Sequence, residues 1–224
     1  MKPMADSIRA VRERIDRACT KAGRNAGQVR LVAVTKTVGI EGIEQAIRCG
    51  LVDFGENYVQ EAKEKISRIG REGIRWHMIG HVQTNKAKYI PQFFDYVHSV
   101  DRWELLAALE RYGKPMKVLF ELNLAQEATK HGTDEDGLRA MLEKVFSLKH
   151  VKPVGLMTMA PYSDDPETVR GLFATLRKML EKMNREFALA MNELSMGMSS
   201  DFEVAVEEGA TMVRVGTAIF GERT

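Results

Sequence analysis

Apolar residues along this chain alternate between two rhythms. Near the N-terminus Ile8, Val11, Ile15 and Ala18 recur three or four apart with arginines opposite, the stripe of an amphipathic helix that Gly23 can stop. Short, nearly continuous apolar runs then read as strands over 31–36, 52–57, 75–80, 96–101, 116–124, 152–160, 193–198 and 211–216. Runs of this kind suit strands covered on both faces. Helical stripes fill the gaps. Ile40, Ile43 and Ile47 make one, with Gly50 placed to cap it in a left-handed conformation. Val169, Leu172, Phe173, Leu176, Met179, Leu180, Met183 and Phe187 make the longest, entered through the cap candidates Ser163, Asp164 and Asp165 and the early Pro166.

Eight strands with interleaved helices predict an α/β fold, a single (β/α)8 TIM-type barrel with an extra N-terminal helix. Residues 1–224 are read as one domain, with no second β domain. The runner-up, an open doubly wound sheet, would normally use fewer parallel strands.

Composition changes this picture little. Hydrophobic content of 44% and charged content of 29% are ordinary, and 33 basic against 31 acidic side chains leave a formal charge of +2. That balance gives no reason to expect a nucleic-acid or membrane surface. Two cysteines, Cys19 and Cys49, make neither a disulfide framework nor a metal knuckle. The N-terminal stretch is charged rather than signal-like, and no apolar run reaches the length of a membrane span. The expectation is a reduced cytoplasmic protein, with a monomer as default.

In such a barrel the C-terminal strand ends converge on one face, and chemistry collects there. Lys36 ends the first run, and Ser199, Ser200, Gly216 and Thr217 follow the last two. An amine at the first strand end and phosphate-type loops after the seventh and eighth strands suit an aldehyde phosphate, with pyridoxal phosphate the leading ligand. The plain reading of Lys36 is a solvent-facing lysine. Ser200-Asp201-Phe202-Glu203 matches a capping box, so Ser200 has a structural explanation as N-cap that Ser199 lacks. A helix start beside Ser199 would favour an anion. Gly216 lets the backbone approach closely, and Thr217 adds an N–H and a hydroxyl. Arg214, inside the last strand, is either a buried ion-pair partner or a cation facing a pyridine nitrogen, where it would oppose protonation and blunt the ring as an electron sink. Asn57 either hydrogen-bonds a cofactor phenol oxygen or caps the next helix. His77 and His81 are four apart but fall on a strand and its turn, so no metal is expected and His81 reads as a loop or pocket histidine. Lys130, in the loop 125–132, is a second candidate aldehyde acceptor; the plainer reading is a solvated loop lysine. No Walker loop or dinucleotide fingerprint is present.

Taken together the motifs resemble the pyridoxal phosphate homeostasis proteins, the YggS/PROSC family. The resemblance rests on Ala33-Val34-Thr35-Lys36, Phe54-Gly55-Glu56-Asn57-Tyr58-Val59-Gln60-Glu61, Trp76-His77-Met78-Ile79-Gly80-His81-Val82-Gln83-Thr84-Asn85-Lys86, Gly155-Leu156-Met157-Thr158-Met159-Ala160-Pro161, Leu194-Ser195-Met196-Gly197-Met198-Ser199-Ser200-Asp201 and Arg214-Val215-Gly216-Thr217-Ala218-Ile219-Phe220-Gly221. Val82 and Thr84 stand where the family often has Leu and Ser, conservative exchanges. The family is similar in fold to the N-terminal barrel of bacterial alanine racemase. The resemblance implies a Schiff base at Lys36, phosphate on Ser199, Gly216 and Thr217, Arg214 at the ring nitrogen and Asn57 near the ring. It also implies a role in vitamin B6 homeostasis, buffering or delivering the cofactor to apo-enzymes without established turnover. Racemases of the related type add a β-rich domain that supplies the opposite-face base, and the expectation here is a barrel without one. Two alternatives stay open: a small pyridoxal phosphate-dependent racemase with Tyr58 or His81 as second base, and a cofactor-free barrel forming a Schiff base with a sugar phosphate.

Overall fold

The computed structural model describes residues 3–125 and 131–222. In chain order they form α1 (Met4–Lys21), β1 (Arg30–Val34), α2 (Ile40–Arg48), β2 (Asp53–Glu56), α3 (Val59–Ile69), β3 (Arg75–Met78), α4 (Ile90–Phe93), β4 (Tyr96–Val100), α5 (Trp103–Glu110), β5 (Met116–Leu122), α6 (Glu135–Leu142), β6 (Val151–Thr158), α7 (Arg170–Glu186), β7 (Glu193–Ser195), α8 (Phe202–Glu207), β8 (Met212–Val215) and α9 (Thr217–Phe220). The strands pair in parallel in sequence order and β1 pairs with β8, which closes the barrel. The (β/α)8 architecture is therefore present, and the open sheet is excluded.

Burial explains why these segments form these elements. The outward faces of the strands carry Ala33, Phe54, Trp76, Val97, Phe120 and Val213, all buried in one core with the inward stripes of the helices. Leu172, Met179 and Phe187 of the long helical stripe remain partly exposed, while Phe173, Leu176, Leu180 and Met183 are buried. Asp165 caps the turn that leads into α7 by accepting from the Glu167 amide. At 17 residues α7 is one shorter than α1, which reverses the expected order of length. The extra helix α1 lies against α8 and α9. Its Arg14 takes both oxygens of Glu203 at 2.8 and 2.6 Å and stacks over Phe202.

Inside the barrel the apolar cluster is small: Val32, Tyr96, Leu119, Met157 and Met212. Barrel interiors are usually filled by layered aliphatic side chains. Here His77, His98, Glu121, Ser195 and Arg214 occupy much of that space, all buried. Every strand is found, and most end two or three residues before the apolar pattern does. The run predicted for β7 continues to Met198, whereas the regular strand ends at Ser195; backbone bonds to β8 go on through Met196 and Gly197 before the chain turns into the mouth of the barrel.

Candidate functional site

The loops at the C-terminal ends of β1, β2, β6, β7 and β8 surround a cavity of about 540 Å³. Lys36, Asn57, Ser199, Ser200, Arg214, Gly216 and Thr217 all line it. Val34, Ile79, Met159 and Met198 supply apolar walls, and Tyr162 and Glu222 stand at its edge. Seven residues singled out from sequence are thus brought together.

Lys36 leaves the sheet just after β1, on an exposed turn. The next residue, Thr37, has φ +61°, an uncommon conformation for a β-branched side chain. A buried polar cluster holds this turn. The Thr37 amide donates to Glu61 Oε1 at 2.6 Å, and Lys65 Nζ bonds the same oxygen, Glu56 Oε1 and the Thr35 carbonyl at 2.6, 2.8 and 2.6 Å. The Thr35 hydroxyl donates to Glu56 at 2.7 Å. Burial raises the Glu56 carboxyl above its ordinary range even beside Lys65. Sequence reasoning missed this clamp, although Glu61 and Lys65 sit one helical turn apart on α3 and offered a signal.

Asn57 follows β2, and its amide oxygen is buried without a partner among the described residues. A buried orphan acceptor of this kind is what a ligand hydroxyl would satisfy. Gly80 underlies it: a Cβ there would lie 2.2 Å from the Asn57 carbonyl oxygen, so only glycine lets the two loops approach. The Asn57 cap role expected as an alternative does not form, since α3 begins after Tyr58 with no side-chain cap.

The loops after β7 and β8 are tied together. The Ala218 amide donates to Ser199 Oγ at 3.4 Å, a long contact. Gly197, at φ +91°, packs so tightly on Ala205 and Phe202 that a side chain would not fit. The capping box is corrected by the structure. Asp201, not Ser200, stands at the N-cap of α8, where its carboxylate accepts from the Met198 amide at 2.5 Å. Glu203 turns outward to Arg14 instead. A two-point bond to an arginine of α1 outcompetes the local one. Ser200 is thereby left on the cavity wall with no capping duty.

Arg214 is 4% exposed. Its Nη1 donates to Ser195 Oγ at 2.7 Å and its Nη2 to the Thr158 carbonyl at 2.9 Å. Burial lowers the guanidinium pKa to about 10, against the pull of Glu121 and Asp201, so it stays charged near neutrality. Glu121 on β5 is pushed up to about 7 by burial and by Asp101. It is an acid with a near-neutral pKa that the sequence reading did not pick out, although a glutamate inside an apolar strand is itself a signal.

His81 does not reach this cavity. It lies on the neighbouring rim, its Nδ1 3.3 Å from Asp101 Oδ2 and its ring stacked on His131 at 3.9 Å. These three residues bring potential ligand atoms within 4.8 Å of one another. The in-plane lone pairs of two stacked rings run parallel rather than toward one point, so stacking accounts for the contact. Lys130 lies outside the described residues.

The donor set has a defined chemistry: an amine, an orphan amide oxygen, hydroxyls and first-turn amides of short helices, and a buried cation. It fits a phosphorylated aromatic aldehyde carrying a ring nitrogen.

Comparison with known proteins agrees with this geometry. Residues 7–224 match the family described as alanine racemase, N-terminal domain. The chain is similar to the pyridoxal phosphate homeostasis protein of Aquifex aeolicus (strain VF5), with 42% identity over 222 residues, covering 97% of each chain. It is similar to PipY of Synechococcus elongatus PCC7942, whose structure was solved with PLP bound, at a TM-score of 0.86 and 35% identity, covering 97% of this chain and 100% of that one. Alanine racemase from Corynebacterium glutamicum shares the fold at a TM-score of 0.72 with 19% identity, and 61% of that chain is covered.

Proposed function

The chain belongs to the alanine racemase N-terminal domain family, in its pyridoxal phosphate homeostasis branch, and from that premise we propose that it binds pyridoxal 5'-phosphate and takes part in intracellular vitamin B6 homeostasis. One observation carries the reading: Lys36, Arg214 and both phosphate-type loops line a single cavity.

Within it Lys36 is the covalent attachment point, and the clamp under Thr37 sets where its amine stands. Ser199, Ser200, Gly216 and Thr217 take the phosphate, through hydroxyls and through amides left unpaired at a helix start. Asn57 meets the ring's hydroxyl. Arg214 faces the ring nitrogen and keeps a proton off it. The bound cofactor supplies an aldehyde that condenses with primary amines and a ring that withdraws electrons. A permanent cation at the ring nitrogen weakens that withdrawal, which suits holding over turnover.

We read the chain as a carrier rather than an enzyme, with residues 1–224 acting as one binding domain in the cytoplasm and apo-enzymes as transient recipients. No helix among the described residues is long and apolar enough to cross a membrane. Racemisation requires a proton acceptor on each face of the ring. Tyr58 and His81, the candidates for the second face, do not line the cavity. Tyr162 does, but its hydroxyl is engaged as donor to Asp164 at 3.0 Å.

The test is absorbance of the purified chain incubated with pyridoxal phosphate, then borohydride reduction and peptide mapping. Yellow protein labelled at Lys36 is the expected result; colourless, unlabelled protein refutes the reading. Deuterium exchange at the α-carbon of added amino acids, no faster than with free cofactor, separates carrier from racemase.

A further inference from the structure

Beneath the cofactor cavity a line of hydrogen bonds runs the length of the barrel interior. Arg214 Nη1 lies 2.7 Å from Ser195 Oγ, which lies 2.8 Å from His98 Nδ1. His98 Nε2 lies 2.9 Å from His77 Nδ1, and His77 Nε2 lies 2.9 Å from Asp53 Oδ1. Asp53 also receives Arg75 Nε and Nη2, each at 2.6 Å. Ser195, His98 and His77 are fully buried. The five residues come from β8, β7, β4, β3 and β2, and they descend from the mouth to Asp53, the first residue of its strand.

The direction of every bond is fixed by its neighbours. Arg75 and His77 hold the Asp53 carboxyl down to about 2, so it only accepts and His77 must carry its hydrogen on Nε2. Burial lowers both imidazole pKa values, His98 the further, so each ring has one hydrogen. His77 Nδ1 is then an acceptor, and His98 must donate to it from Nε2. His98 Nδ1 is in turn an acceptor, and the Ser195 hydroxyl must donate to it. That leaves the serine oxygen's lone pair for Arg214. The donors run Arg214, Ser195, His98, His77, with Asp53 the final acceptor.

We infer that this line is a directional relay, anchored on Asp53, that presents Arg214 as a fixed cation to the ring nitrogen of the bound cofactor; Ser195, His98 and His77 are positioning residues. The inference rests on the pyridoxal phosphate reading above. No carboxylate among the described residues hydrogen-bonds Arg214, and Glu121 and Asp201 act on it only as nearby charges. Each polarised bond strengthens the next in a buried chain, so the Asp53 charge is felt at the guanidinium. The other groups facing the relay are Arg30, whose charge opposes protonation of both imidazoles, Asp95 beside His77, and Tyr96, stacked on His77 at 4.6 Å.

Two measurements test it. The first uses the cofactor-free chain with ¹⁵N-labelled histidine. His77 and His98 are expected as neutral Nε2–H tautomers that do not titrate between pH about 6 and about 8, where an ordinary histidine does. An Nδ1–H tautomer or a titrating ring at either position overturns the relay. The second follows the pyridine nitrogen of bound ¹⁵N-labelled pyridoxal phosphate as pH is varied. Ser195→Ala cuts the line at Arg214, and Asp53→Asn removes the anchoring charge while keeping its shape. In Ser195→Ala the ring nitrogen is expected to protonate at a pH about one unit higher, with a smaller shift in the same direction for Asp53→Asn. Folded variants whose ring nitrogen behaves as in wild type overturn the inference and leave these residues a purely structural role. Should Ser195→Ala fail to fold, Asp53→Asn decides alone. A wild-type chain that takes no label at Lys36 overturns the cofactor reading, and with it the relay's role, whatever the tautomers show.

Discussion

At the floor of the barrel Arg30 meets Glu193 and the Tyr96 hydroxyl, Thr211 donates to the other Glu193 oxygen, and Arg75 takes both oxygens of Asp53. At the mouth, Lys36 makes no hydrogen bond or ion pair among the described residues, and Asn57 Oδ1 and Glu56 Oε2 are buried without partners there. The same mouth holds Arg214, forced down to about 10, and Glu121, forced up to about 7. The two ends share one sheet and one closure, yet the floor pairs its charges throughout this set, while the mouth pairs Lys65 with Glu56 and Glu61 and leaves the groups that face the cavity unmatched. Pairing of the first kind stabilises the chain alone. Mismatch of the second kind is relieved only when something binds, which is why conserving local rules at the floor and breaking them at the mouth marks the functional end.

The sharpest break between the ends comes from Lys36→Ala. Borohydride labelling is expected to vanish, while the unfolding free energy from urea melts stays within about 0.5 kcal/mol of wild type, because an exposed unpaired lysine contributes little to stability. Undiminished labelling at another residue would remove Lys36 from its role and erase the contrast.

Glu121→Gln tests whether the mouth is destabilised by its own charges. The folded-state pKa of about 7 lies above the ordinary 4.5, so the native state holds a proton that the unfolded chain releases. Stability from this group is complete below pH about 4.5 and is lost as pH rises through about 7, by on the order of 3 kcal/mol. The glutamine variant is expected to lack that loss and to be the more stable protein at pH about 8. Urea melts at the two pH values decide it; parallel curves for both proteins would place Glu121 among satisfied groups.

Glu193→Ala asks the same of the floor. Arg30 keeps Tyr96 but loses its carboxylate, and since the pair is partly exposed the expected cost is about 2 kcal/mol rather than that of a fully buried pair. Affinity for pyridoxal phosphate should be unchanged. A fall in affinity without a fall in stability would show that the two ends are not separable in this way.

How much of this was legible follows the same division. Strands covered on both faces announce themselves as apolar runs, so all eight could be read. Their mouth ends could not, because Met196 and Met198 prolong the apolar pattern past the last regular strand residue, Ser195. Lys36, Asn57, Ser199 and Arg214 were legible because a barrel topology gathers strand ends, whatever their separation in sequence. The line from Arg214 to Asp53 was not, since His98 and Ser195 are 97 residues apart and meet only through closure. Ser200 and Glu203 matched a local cap and were misread, because the competing partner, Arg14, lies 189 residues away. Tyr162 and the Thr37 clamp were missed for a similar reason: their meaning depends on which loop faces which.

The smallest expected effect probes the mouth at a single neutral hydroxyl. Ser199 Oγ already accepts from the Ala218 amide, but at 3.4 Å, long for such a bond and weak in consequence. Its lone pairs and proton are thus largely uncommitted in the free chain, unlike the floor oxygens of Asp53 and Glu193. Ser199→Ala should therefore leave the urea midpoint unchanged. It should weaken retention of pyridoxal phosphate by about 1 kcal/mol, roughly fivefold in dissociation constant, the net worth of one ordinary hydrogen bond. Equilibrium dialysis of both proteins under one buffer gives the ratio. Equal constants would mean that the phosphate rests on Ser200, Gly216 and Thr217 alone, and that the Ser199–Ala218 contact serves only to join the two loops. A loss of stability with unchanged affinity would move Ser199 from the ligand side of the comparison to the structural one.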